Sequence, residues 1–230
     1  MWQALRSELA PLGVEIVTVA MDTAGADAAR PFVEAAQSEH PSLLDVEHRI
    51  GELFGVINVP NSIWIDESGT IVRPVEPAFP NDQPRDGAKW QLTDEMPELM
   101  RDMLTEANKI KSDPVGYVAR LRDWAANGAD SAHALRPEQV LAASGQRTHA
   151  QSEAAAHFEL AQHLWRDGHQ DVAKPHFREA RRLFPDNWTY KRQAWTFGHP
   201  MQGPSEGLEG SWLDDIKAIG AENYYPELVV

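Results

Sequence analysis

Val56-Ile57-Asn58-Val59-Pro60-Asn61-Ser62-Ile63-Trp64-Ile65-Asp66-Glu67-Ser68-Gly69-Thr70-Ile71-Val72 is the stretch on which the reading of the fold turns. Ile63, Trp64 and Ile65 form an apolar run of high β preference, and Ile71 and Val72 form its return. Glu67-Ser68-Gly69 between them is a short hairpin connection, with Gly69 free to take a positive φ. A proline cannot donate to a strand ladder, so Pro60 belongs at the strand's entrance.

Working outward, residues 1–12 read as the end of an amphipathic helix with Leu5, Leu9 and Leu12 on one face, ended by Pro11 and Gly13. Residues 14–21 read as a strand, apolar on both faces as buried parallel strands are. A helix is expected over 24–39, starting or kinking at Pro31, with Phe32, Val33 and Ala36 inward. Ser42-Leu43-Leu44-Asp45 is a short bridge. A second helix over 47–54 turns Ile50, Leu53 and Phe54 inward and ends at Gly55.

This order of elements, with Leu-Leu-Asp, Phe-Gly-Val, Val-Pro and the Asp-x-x-Gly turn, resembles the thioredoxin fold. Within it the likeness is to the TlpA/ResA-type thiol-disulfide oxidoreductases and the peroxiredoxin-like (AhpC/TSA) redoxins, over roughly residues 1–75. The resemblance implies a cis peptide bond at Pro60 beside a Cys-x-x-Cys pair. It also implies a substrate or partner groove at Val59, Pro60 and Asn61. The chain has no cysteine, so the family's thiolate chemistry cannot run on it as given. No cofactor is implied.

The resemblance also implies a strand that this sequence does not supply. That strand would lie between the one at 14–21 and the one at 63–66, leaving a central slot in the sheet. Each unmade buried backbone hydrogen bond costs about 1–3 kcal/mol. Several would exceed a typical domain stability of about 5–15 kcal/mol. Three readings stay open: residues ahead of Met1 carry the strand and cysteines, another segment or a second chain fills the slot, or the match is out of register.

The net charge of −14 and pI near 5.0 argue against nucleic-acid and anionic-membrane partners, since no basic patch stands ready to meet phosphate. No run of about 18 apolar residues suggests a membrane span. The N-terminus lacks the pattern of a secretory leader, so the cytoplasm is the expected compartment.

Residues 74–92 are proline-rich (Pro74, Pro77, Pro80, Pro84) and are expected to be an irregular loop or lid closing a domain of residues 1–92. Residues 93–230 are expected to be all-helical. A helix over 93–111, started by Thr93, turns Leu99, Met103, Leu104 and Ala107 inward. Ser112-Asp113-Pro114 caps a helix over 115–126 with Tyr117, Leu121 and Trp124 on its inner face, and a short helix follows at 137–143.

Residues 154–187 resemble a single tetratricopeptide repeat. Leu160, Ala161 and Leu164 fit its first helix, Gly168 its turn, and Ala173, Phe177, Ala180 and Pro185 its second helix and stop. Trp188, Tyr190, Ala194 and Trp195 suggest a capping helix, and Trp212, Tyr224 and Tyr225 anchor a wrapping tail. A lone repeat cannot bury both faces. It is expected to stabilise the domain or to offer a protein- or peptide-docking surface.

Other chemistry finds less support. The nearest helical histidine pairs, His157/His163 and His169/His176, do not place two imidazoles on one face a turn apart, so no metal site is expected. Asp22, Asp45 and Asp66 each end a strand-like run and would be solvated strand ends. The sequence is therefore read as α/β, a thioredoxin-like core lacking its first strand followed by a helical region with one repeat-like hairpin. The function implied is that of a redoxin relative without a thiol of its own, or else a non-catalytic adaptor that binds a partner protein.

Overall fold

The computed structural model describes residues 1–81, 90–199 and 201–226. It is mixed α/β, mostly helical, with two small sheets. The described chain divides into two units, one of residues 1–81 and 113–146, the other of residues 90–112 and 147–226. A single cut near residue 92 therefore does not separate them, because 113–146 returns to the first unit.

The first unit opens with α1 (Trp2–Leu9), whose Leu5 and Leu9, one turn apart, are buried. Leu12 is 53% exposed rather than continuing that stripe. The helix gives way at Ala10 to a 3-10 turn holding Pro11, and Gly13 at φ 88° then turns the chain away.

Four elements follow: β1 (Thr18–Ala20), α2 (Ala26–Ala36), β2 (Ser42–Leu44) and α3 (Arg49–Phe54). β1 and β2 pair in parallel, Thr18 opposite Ser42 and Ala20 opposite Leu44. The strand expected over 14–21 is thus three residues long and only half-buried, and the expected bridge at 42–45 is a strand. α2 begins at Ala26 and runs through Pro31, with no buried residue. Phe32 is 78% exposed and Leu53 on α3 is 82% exposed, so neither turns inward as expected. Two three-residue strands present too little apolar face to cover them.

β3 (Asn61–Ile65) and β4 (Ile71–Pro77) form the expected antiparallel hairpin. At its turn Gly69 has φ 84°, where a side chain would be strained. Pro74 and Pro77 lie in β4 rather than in an irregular loop. An edge strand tolerates them, and β4 has only β3 as a strand neighbour among the described residues. Residues 82–89 of the expected loop, Pro84 among them, lie outside the described residues.

α4 (Glu98–Lys109) belongs to the second unit and starts five residues after Thr93, with Pro97 at its N-cap. The first unit is completed by α5 (Pro114–Asn127) and α6 (Pro137–Ser144). The Asp113 carboxylate caps α5 by accepting from the Gly116 N–H at 2.8 Å. Tyr117, Val118 and Leu121 on α5 share a core with Leu5, Leu9, Trp64, Val72 and Ala78. Trp124 stacks on Trp64 with ring centroids 5.2 Å apart.

In the second unit, α7 (His149–Arg166) and α8 (Gln170–Leu183) form a helical hairpin about Gly168, at φ 84°. The Thr148 hydroxyl and the Gln151 side chain cap α7 reciprocally. α9 (Trp188–Gly198) and α10 (Trp212–Ile219) close over the hairpin. Their core holds Ala154, Phe158, Ala161, Ala173, Phe177, Ala180, Trp188, Tyr190, Trp195, Trp212 and Tyr224.

Candidate functional site

Val59, Pro60 and Asn61 stand where the first unit passes from α3 into β3. Asn58 beside them is buried, and its side-chain oxygen accepts from the Val59 N–H at 2.8 Å. The Val59–Pro60 peptide bond is cis. Pro60 is exposed, while Val59 and Asn61 are half-buried. The Pro60 carbonyl accepts from the Ala78 N–H at 3.1 Å, tying the start of β3 to the end of β4. The three residues thus form a short, partly exposed strip at the entrance to the hairpin.

The hairpin also carries a set of paired polar side chains. The Tyr117 hydroxyl donates to Ser62 Oγ at 3.0 Å. Burial raises the Tyr117 phenol above its ordinary range, so it stays neutral near pH 7. Arg73 Nε donates to Glu76 Oε2 at 2.7 Å, both side chains buried. The same guanidinium donates to the His133 carbonyl at 3.2 Å and lies 5.5 Å from the centre of the Trp64 ring. A neutral phenol, a hydroxyl and an internally balanced ion pair can shape and hydrogen-bond. They do not make an activated nucleophile, which needs a base positioned beside it.

The strand-end carboxylates serve as caps. Asp45 Oδ1 accepts from Arg49 N and Oδ2 from Ile50 N, each at 2.8 Å, fixing the start of α3. Asp66 Oδ1 accepts from Ser68 N and Thr70 N, each at 2.9 Å, inside the β3–β4 turn. These hydrogen bonds, with that from the Ser68 hydroxyl first, hold its carboxyl below the usual range. Asp22 Oδ1 accepts from Ala24 N at 2.8 Å. Asp22 and Asp45 both act on His48, which is 3% exposed. Burial brings its imidazole down to about 4 against their attraction.

Comparison with protein-family models, with curated proteins and with solved structures finds no match to this chain.

In the helical hairpin the small residues Ala161, Ala173 and Ala180 are buried, as is Phe177, which meets Phe158 edge-on at 6.0 Å. Leu164 is partly buried against the same core, and Pro185 lies in the turn after α8. Leu160, expected among the packing residues, is 41% exposed. It stands two residues from Phe158, which on a helix is the opposite side.

Sequence spacing missed two clusters here. His157 on α7 and His176 on α8 meet with their Nδ1 atoms 2.8 Å apart, though they lie 19 residues apart in the chain. Only facing positions on the two helices, not spacing within one helix, would have paired them. Lys191 Nζ lies 3.1 Å from Asp215 Oδ2 and 3.6 Å from the centre of the Trp188 ring, and Arg181 pairs with Asp215 at 2.8 Å. Burial lowers the pKa of Lys191 despite that carboxylate.

Proposed function

We propose that the first unit is a thioredoxin-like redoxin module, related to the TlpA/ResA-type and peroxiredoxin-like oxidoreductases. In this reading it receives an extended polypeptide along Val59, Pro60 and Asn61 without itself exchanging disulfides. The observation that carries the reading is the divided sheet. A parallel pair, β1 and β2, is followed through α3 by an antiparallel pair, β3 and β4, and neither pair has a further strand neighbour among the described residues. In β1 the Ala20 carbonyl and the Thr18 N–H are used on the β2 side. By the alternation of a strand, the N–H and C=O of Val19 point the other way. A strand inserted between β1 and β3 would meet both edges and restore the order of the redoxin sheet.

The absence of cysteine supports a second reading, an adaptor whose strip and helical hairpin bind a partner protein with no redox turnover. One experiment separates the readings. A strand ending in Cys-x-x-Cys is fused ahead of Trp2, and insulin-disulfide reduction is measured with hydrogen exchange. The redoxin reading expects new protection at Val19 and Ile63 and the appearance of reductase activity. Protection without activity would favour the adaptor. Unchanged exchange at both strands would sink the thioredoxin-like reading.

A further inference from the structure

The contact between His157 and His176 reaches beyond this reading. The hairpin core fixes its geometry: on the residue next to each histidine, Phe158 meets Phe177 at 6.0 Å, and Phe158 stacks on Tyr190 at 4.2 Å. The imidazoles, both half-buried, lie with centroids 5.0 Å apart and planes 32° from parallel, and their Nδ1 atoms are 2.8 Å apart. This is a head-on hydrogen bond. One Nδ1 carries the proton and donates it to the lone pair of the other.

The number of protons decides whether such a bond survives. The donor ring can take a further proton on its outer Nε2 and still donate. A second proton has only the accepting Nδ1 to occupy. Two N–H groups and two positive charges then face each other across the contact. The unfolded chain has no such restriction, because each of its imidazoles takes a proton as pH falls through about 6.5. The unfolded state therefore binds more protons than the bonded pair. The stability that the contact contributes is present near neutral pH and is lost on acidification. The neighbouring charges do little to answer the repulsion. Glu179 on α8 acts electrostatically on His157, but Arg182 donates to its carboxylate at 2.8 Å. Glu153 on α7 acts on the same Arg182 and lies 4.0 Å from His149. On α9, Lys191 pairs with Asp215 at 3.1 Å and Arg192 donates to Gln202 at 3.0 Å.

We propose that the His157–His176 hydrogen bond is an acid-sensitive latch between α7 and α8. Near neutral pH it holds the two helices together at the hairpin surface, beside Phe158 and Phe177. It releases when both Nδ1 atoms carry protons.

The test joins nitrogen-15 spectra of the histidine-labelled full chain with amide hydrogen exchange at about pH 7.5 and about pH 5, on either side of the ordinary imidazole range. Exchange is also measured on His157→Gln and His176→Gln, since a glutamine amide can bond to the remaining imidazole whether that ring is neutral or charged. At the higher pH the native spectrum should show a single proton shared by the two Nδ1 atoms. On acidification the protection of the Phe158 and Phe177 amides should fall by about fivefold more in the native protein than in either variant. Any effect of His48 is common to all three proteins and cancels in that difference. Equal falls in native protein and variants would overturn the proposal. So would a native spectrum at the higher pH with both Nδ1 atoms bare, a readout that stands even if a variant does not fold.

Discussion

His48 holds a left-handed backbone at φ 58° at the start of α3 and buries its ring beside Asp22 and Asp45. Its imidazole is brought down from 6.5 to about 4, so between those pH values the unfolded chain binds a proton that the folded chain does not. Stability from this residue is therefore complete above pH 6.5 and is lost as pH falls toward 4, by about 3 kcal/mol in all. Asparagine tolerates the same backbone conformation. Urea melts of the native protein and His48→Asn at pH 7 and pH 4 should show the native protein losing about 3 kcal/mol more than the variant. A parallel loss in both would dismiss the account. Arg73 and Glu76 make a second residue-scale case, since removing one partner strands a buried charge. Arg73→Ala should cost about 3–5 kcal/mol by chemical denaturation, and a cost near that of an exposed ion pair would contradict the burial. The sequence told little of either, because neither a buried histidine nor a buried ion pair has a local signature.

At the scale of the element, caps and periodicity were legible. Asp113-Pro114 announces α5, and its carboxylate caps the helix; Asp113→Ala should lower stability by about 1 kcal/mol in a thermal melt. The alanines and Phe177 of the hairpin were read from spacing and are buried. Phe177→Ala should cost about 3–5 kcal/mol, the cost of a large cavity between α7 and α8. α2 went the other way. Its apolar residues were read as a core face, yet Phe32 is 78% exposed. Phe32→Ser should accordingly shift the urea midpoint by no more than about 0.5 kcal/mol, and a core-sized loss would show that this face is covered in solution. Periodicity names the apolar side of a helix. It does not say whether anything lies against that side.

For the whole molecule, the returning segment 113–146 is decisive. Tyr117, Val118 and Leu121 share their core with Leu5, Leu9 and Trp64, all before residue 82. A fragment of residues 93–230 would strip those partners away. Limited proteolysis of that fragment should cut within 113–146 and leave 147–226 comparatively resistant, because the hairpin, α9 and α10 keep their own core. Equal resistance across 93–230 would return the boundary to residue 92. No helix among the described residues is long and apolar enough to cross a membrane.

By itself the sequence determined the α/β character, the β3–β4 hairpin and its turn, the helices from α5 to α9, and the small-residue faces of α7 and α8. These follow from forces acting within a few residues: turn chemistry, capping and the 3.6-residue period. Tertiary structure alone decided that β1 pairs with β2, that 113–146 belongs with the first unit, that Leu160 faces outward, and that His157 meets His176. Each depends on a residue distant in the chain, and the energy of a contact depends on what the fold brings into reach, of which local pattern carries no record.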